Sequence, residues 1–217
     1  MKMLKGFPFR GLYAITDAEF KGEALTAQVE RAIQGGARVI QYRDKSDDLA
    51  QRLAESEAIL SVCQHHRIPL LINDDIELAS HIGAHGVHIG REDTTLAKAR
   101  ERLGGHAIIG VSCYNRFELA QQAVEAGADY VAFGRFFKSS SKPEAVQADP
   151  ELLHRARAEL SCPVVAIGGI TPDNGARLIR AGADMLAVIR GVFAADDPTL
   201  AAKSIQNLFD PDVEKNS

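Results

Sequence analysis

Long apolar runs are missing from this 217-residue chain. No stretch approaches the roughly 20 residues that a membrane-crossing helix needs, so no membrane partner is expected. Neither sign of charge dominates. Against 29 acidic residues stand 25 Lys and Arg, a net charge of −4 and a pI near 6.0. That balance offers no whole-protein attraction to nucleic acid or to anionic lipid. Cysteine is scarce: Cys63, Cys113 and Cys162 are odd in number and lack metal-ligand spacing. Structural disulfides are not expected, and a reducing cytoplasm suits the chain best. Residues 1–9 are too short, and too polar in their middle, to read as a secretory leader. What is present is a 46% hydrophobic composition, enough to bury a large core.

The apolar residues recur with a rhythm. The strings Gly35-Gly36-Ala37, Ile82-Gly83-Ala84, Ala126-Gly127-Ala128 and Ala181-Gly182-Ala183 each close a helical pattern, and each is followed within a few residues by a short apolar run. Glycine after a helix supplies the left-handed cap, and the run that follows reads as a buried strand. Helices are expected over 24–34, 48–65, 76–81, 96–103, 118–125, 151–160, 174–180 and 200–208. Strands are expected at 12–15, 39–40, 70–72, 87–89, 108–111, 130–133, 164–167 and 186–189. Such alternation implies a parallel sheet with right-handed crossovers. Eight units in so few residues close most naturally into an α/β (β/α)8 TIM barrel. One domain is expected over 1–217, with the barrel spanning about 11–209 and a frayed tail at 210–217.

Chemistry gathers where these strands end, which is where an α/β barrel builds its active site. After the second strand, Gln41, Arg43 and Lys45 share one face and Tyr42 and Asp44 the other. If the first face turns into the mouth, two cations and an amide converge on a spot suited to phosphate. The alternative is a solvated strand end whose cations pair with Asp44 or Asp47. Asp74 and Asp93 end the third and fourth strands, about 5 Å apart if those strands are neighbours. Two carboxylates so placed suit Mg²⁺, although Asp75 and Asp93 also stand where helix N-caps belong. The stretch 134–143 contains Lys138, Ser139, Ser140, Ser141 and Lys142 above Phe136-Phe137. The segment runs about fifteen residues from the strand end to the next helix, long enough for a functional lid or a serine linker. Gly168-Gly169 follows the seventh strand, where backbone N–H groups often take phosphate; a tight turn before Thr171-Pro172 is the plainer reading.

Other candidates are weaker. His85 and His88 bracket a strand start and point to opposite faces, which speaks against a histidine metal site. His65-His66 closes a helix at the surface. Cys113, beside Ser112, has no histidine–acid pair evident and reads as a small buried side chain.

The ordered motifs Gln41–Lys45, LINDD at 71–75, VHIGRED at 87–93, Gly110-Val111-Ser112, the segment 134–143 and AIGGIT at 166–171, together with the opening GLYAITD at 11–17, resemble the thiamine phosphate synthases. The likeness runs from Gly11 to Phe193. It implies an enzyme on an α/β barrel that joins an aminopyrimidine-methyl diphosphate to a thiazole phosphate and releases pyrophosphate. It implies that the run Gln41, Tyr42, Arg43, Asp44 and Lys45, with Asn73 and Lys142, holds the pyrimidine diphosphate, and that Ser112 sits near the pyrimidine. Ser139, Ser140 and Ser141 with Gly169, Ile189 and Arg190 are implied for the thiazole phosphate, and Asp74 and Asp93 for Mg²⁺. Arg43, Ser112 and Lys142 are the catalytic candidates on this likeness.

The chain departs from the family pattern in places. Lys138 stands where proline is frequent, Ser139 and Ser141 where threonine is common, and Arg190 where serine is usual. Arg190 either adds a phosphate ligand or points away from the site. Two further readings share the barrel: a thiazole tautomerase, which lacks the diphosphate-binding cations, and a non-catalytic phosphate-ligand sensor. Arg43, Lys45 and Lys142 argue against the first. The partners expected are small phosphorylated molecules; assembly into a homo-oligomer is compatible with the sequence but not indicated by it.

Overall fold

The computed structural model describes residues 10–90, 96–138 and 147–210. Eight parallel strands occur in it: β1 (Gly11–Ile15), β2 (Val39–Tyr42), β3 (Leu70–Asn73), β4 (Gly86–Ile89), β5 (Ile108–Tyr114), β6 (Tyr130–Gly134), β7 (Val164–Ile167) and β8 (Met185–Val188). They pair in chain order, and β1 closes the barrel against β8 with Leu12 opposite Leu186 and Ala14 opposite Val188. Helices α1 (Gly22–Gln34), α2 (Leu49–His66), α3 (Ile76–Ile82), α4 (Leu96–Leu103), α5 (Phe117–Glu125), α6 (Glu151–Glu159) and α7 (Pro172–Ala181) alternate with the strands. Two more follow β8, the single turn α8 (Arg190–Phe193) and α9 (Pro198–Gln206). This is the expected (β/α)8 architecture.

Strand alternation sorts the side chains into two cores. Tyr13, Ile15, Val39, Leu71, Ile108, Tyr130, Val165, Met185 and Ala187 fill the barrel interior. Their neighbours Leu12, Ala14, Ile40, Tyr42, Leu70 and Ile72 face outward and pack with helix residues such as Leu25, Val29 and Ile59. Room for the Tyr130 ring comes from Gly110 on the adjacent strand. A Cβ there would lie 1.9 Å from Tyr130 Cζ, so any side chain at 110 would evict the ring.

Several element ends differ from the sequence expectation for identifiable reasons. Helix α1 starts two residues earlier, at Gly22, whose N–H donates to the buried carboxylate of Glu55 on α2 at 2.9 Å. Glu55 also accepts from Tyr42 Oη at 2.8 Å and Gln51 Nε2 at 2.8 Å. The last long helix begins at Pro198 because Asp197 caps it, accepting from Thr199 and Leu200 N–H, and it closes through a 3-10 turn at Asn207–Phe209. The short α8 has no counterpart among the expected helices; it begins at Arg190, just past the strand expected at 186–189. Asp75 caps α3 as expected, accepting from Leu78 N–H.

Candidate active site

A cavity of about 410 Å³ opens at the carboxyl ends of the strands. Its floor is polar. Gln41, Asn73, His88 and Ser112 rise from β2, β3, β4 and β5 as the inward members of their strands. Its far wall is apolar, with Ile167, Ile170, Ala187 and Ile189. Arg43, Arg135, Lys138 and Arg190 bring cationic side chains to the rim.

The floor continues downward as a chain of hydrogen bonds. Ser112 Oγ lies 2.8 Å from His88 Nε2, and His88 Nδ1 lies 2.8 Å from Tyr130 Oη. Tyr130 Oη is 2.8 Å from Tyr13 Oη, which donates to Gln41 Oε1 at 2.7 Å. Gln41 Nε2 donates to Asn73 Oδ1 at 2.6 Å, and Asn73 Nδ2 donates to Asp74 Oδ2 at 2.6 Å. Burial pushes the Tyr13 hydroxyl pKa far above its ordinary value, against a smaller opposing effect of the bond to Tyr130. Burial raises that of Tyr130 as well, and Tyr13 beside it adds to the effect. Both phenols therefore stay protonated across the working pH range.

Asp74 stands at the open end of this chain. Its backbone is left-handed, with φ of 65°, a conformation that non-glycine residues hold only when their surroundings over-determine it. Here they do. Asp74 N–H donates to His88 O at 2.9 Å, and its Oδ1 accepts from Gly90 N–H at 3.0 Å. The carboxylate is thereby turned across the ends of β3 and β4. Its expected partner Asp93 lies outside the described residues.

The 41–45 run divides. Gln41 and Arg43 face the cavity, and Thr16 pins the backbone beside them, its Oγ1 accepting from Arg43 N–H at 2.8 Å. Lys45, expected on the same face, is exposed and does not line the cavity. The cause is that β2 ends at Tyr42, so strand alternation does not carry on to position 45. Tyr42 and Asp44, counted with the substrate ligands, turn the other way. Tyr42 is buried behind the barrel wall against Glu55, and Asp44 pairs with Lys21 and accepts from Ser46 N–H.

On the opposite side the loops after β6 and β7 are knitted together. Phe136 N–H donates to Ile167 O at 3.1 Å and Phe137 N–H to Gly168 O at 3.0 Å. Gly168 and Gly169 have φ of 106° and 64°. A Cβ at Gly168 would meet Arg135 Cβ at 2.3 Å, and one at Gly169 would meet Lys138 O at 2.4 Å. Ala148 N–H returns to Arg135 O at 2.7 Å, so both described ends of the serine-rich loop are held beside the glycine pair. Ser139, Ser140, Ser141 and Lys142 lie outside the described residues. Thr171 and Asn174 form a capping box below, and Asn174 Nδ2 also holds Gly169 O at 3.0 Å.

Gly169, Ile189 and Arg190 line this wall, but the Arg190 guanidinium is drawn to the β1–α1 loop. It bonds to Glu19 and lies 3.6 Å from Asp17 Oδ2. His88 and Tyr114 also line the cavity, and neither is among the expected site residues. His88, unsuited to a histidine metal site, has an inward strand position that is readable once Val87 and Ile89 are assigned to the outer core. Nothing in the sequence marks Tyr114. It lines the cavity because the β5–β6 register shifts between Ser112 and Tyr114, leaving Tyr114 left-handed and half-exposed at the mouth.

Comparison with known proteins accords with this arrangement. The family described as thiamine monophosphate synthase matches residues 12–192. The chain belongs to that family. It is 50% identical over 206 residues to a thiamine-phosphate synthase of Thioalkalivibrio sulfidiphilus, covering 94% of this chain and 98% of that one. It is 47% identical over 212 residues to a thiamine-phosphate synthase of Thiobacillus denitrificans, covering 98% and 100% of the two chains. Among solved structures, the thiamine phosphate pyrophosphorylase of Pyrococcus furiosus superposes with a TM-score of 0.84 at 31% identity, over 93% of this chain and 96% of that one. No helix among the described residues is long and apolar enough to cross a membrane.

Proposed function

We propose that this chain condenses 4-amino-2-methyl-5-pyrimidinylmethyl diphosphate with hydroxyethylthiazole phosphate, or with its carboxylated form and loss of CO2, to thiamine phosphate in the cytoplasm. The observation that carries the reading is the single mouth that unites the polar floor of Gln41, Asn73, His88 and Ser112 with Arg43 on one side and the Gly168-Gly169 turn on the other. Two substrates that must react with each other need one shared cavity with two anion-binding sides.

In this reading Gln41, Asn73 and Ser112 orient the pyrimidine ring. Arg43 takes diphosphate oxygens with its planar fork, and Lys142 joins it from the serine-rich loop. Ser139, Ser141 and Gly169 take the thiazole phosphate. The C–O bond to the diphosphate breaks with its electron pair leaving on pyrophosphate. The electron-rich aminopyrimidine carries the positive charge left on its methylene carbon, and the thiazole nitrogen, held adjacent, forms the new C–N bond. The cationic side chains are aimed where negative charge grows, which favours the departing group over the bound one.

Asp74 is a chemically suitable Mg²⁺ ligand. Its hard oxygen pair stands beside the cavity residue Asn73, each oxygen engaged in one hydrogen bond and keeping further lone pairs, and Asp93 is its companion by motif. When bound there, Mg²⁺ would supply positive charge to the leaving diphosphate.

The test is direct. Purified protein with both substrates and Mg²⁺ should release pyrophosphate and form thiamine phosphate in equal amounts. No pyrophosphate from the paired substrates would sink the reading.

A further inference from the structure

The hydrogen-bond chain under the cavity has a direction, and chemistry at its Asp74 end sets it. A carboxylate oxygen only accepts, so the group that faces Asp74 Oδ2 at 2.6 Å must be the Asn73 amide nitrogen. Asn73 then presents Oδ1 to Gln41, which must answer with Nε2 and leave Oε1 for Tyr13. Tyr13 commits its one hydroxyl proton to Gln41, so at Tyr130 it can only accept. Tyr130 commits its proton to Tyr13, so at His88 it can only accept. His88 must therefore carry its proton on Nδ1. The reverse direction would press Asn73 Oδ1 onto a carboxylate oxygen, two acceptors in contact.

We infer that this relay, running from Asp74 through Asn73, Gln41, Tyr13 and Tyr130, locks His88 in its Nδ1–H tautomer and turns the Nε2 lone pair toward Ser112. The Ser112 hydroxyl proton is then spent on His88 Nε2 at 2.8 Å, and Ser112 meets the cavity with oxygen lone pairs alone. It accepts from a bound ring and cannot donate to it, so it selects a ring edge that carries an N–H donor. This last step rests on the function proposed above, which places an aminopyrimidine there. Tyr13, Tyr130 and His88 are positioning residues: they act through Ser112 and set the polarity of its contact. Burial of both phenols, which keeps their protons in place, makes the relay stiff.

Nitrogen-15 NMR of histidine-labelled protein, without substrate, reads the tautomer. The His88 signal is assigned by its loss in His88→Asn. At about pH 8.5, well above the ordinary histidine pKa of about 6.5, the unaltered protein should show a protonated Nδ1 and a bare Nε2. An Nε2–H tautomer, an imidazolium or a rapid mixture of tautomers would overturn the relay. In Tyr13→Phe, Tyr130 loses the acceptor for its proton and can turn it onto His88 Nδ1. The ring should then switch to the Nε2–H form, a change that a purely space-filling role for Tyr13 would not produce; retention of Nδ1–H in a folded variant would likewise overturn it. Should Tyr13→Phe not fold, the unaltered protein's spectrum decides by itself. Because neither spectrum needs substrate, the relay can fail while pyrophosphate release stands, and the reverse.

Discussion

Arg190 Nη1 lies 3.6 Å from Asp17 Oδ2, an oxygen that is buried and meets no hydrogen-bond donor among the described residues. Arg190, at the start of α8, thus balances an acidic loop of its own barrel. Its bond to Glu19 completes the pairing.

Arg190→Ser is therefore expected to act on stability more than on the thiazole phosphate. Removing the guanidinium leaves Asp17 nearly buried and uncompensated, a loss readable as a lower urea midpoint. Adding Asp17→Asn should recover most of that loss. The KM for the thiazole phosphate should change less than about threefold; a tenfold rise would show that the side chain leaves its acids to hold substrate.

Gly168→Ala should damage the site locally. The new methyl would overlap Arg135 Cβ at a φ of 106°, and relief requires the two knitted loops to part. A loss of about 1–3 kcal/mol and a raised KM for the thiazole phosphate are expected together. Wild-type kinetics in this variant would remove the glycine turn from the phosphate site.

Chelation should abolish turnover, and added Mg²⁺ should restore it. The expectation rests on Asp74, whose carboxylate is held at the ends of β3 and β4 beside the cavity residue Asn73 and would repel a diphosphate unless a cation lay between them. Asp74→Asn should raise the Mg²⁺ concentration needed for half-maximal rate. Undiminished activity in EDTA would end the metal assignment.

Lys142→Ala should lose about 10²-fold or more in kcat at saturating substrates, because a single donor to developing charge is worth about that much. Measured with both substrates saturating, a kcat within a factor of two of the unaltered protein would reassign the lysine to binding or to structure.

Stability should fall as pH drops through the histidine range. Burial lowers the pKa of His85, and its Nδ1 accepts from Leu70 N–H at 3.1 Å, a bond that protonation breaks. Below the unfolded pKa of about 6.5 the unfolded chain binds a proton that the folded one resists, so stability is fully present above that pH and declines beneath it. Denaturant midpoints at about pH 8 and about pH 5.5 test this, and His85→Gln should flatten the difference.

The sequence by itself determined the barrel. Glycine-capped helices and short apolar runs repeat because each β-α unit buries the same two faces, and that periodicity survives without any long-range information. Asn73 and Ser112 were legible by motif alone, whereas strand alternation made Gln41 and Arg43 legible as residues of one face, since the side chain at every second position must share a side. The same rule placed Tyr42 and Asp44 outward, against their inclusion among the ligands by motif alone. It failed at Lys45, one step past the end of β2, because a turn has no fixed alternation.

Tertiary structure decided the rest, where contact depends on elements far apart in sequence. Glu55 on α2 draws Gly22 into a helix; Asp17 and Glu19 claim Arg190 across about 170 residues of chain; a register shift brings Tyr114 to the mouth. The relay from Asp74 to Ser112 belongs to the same class. Each of its members looks ordinary in its own motif, and only closure of the barrel sets their single protons in line, so that a carboxylate just past β3 governs which face of a serine on β5 the substrate meets.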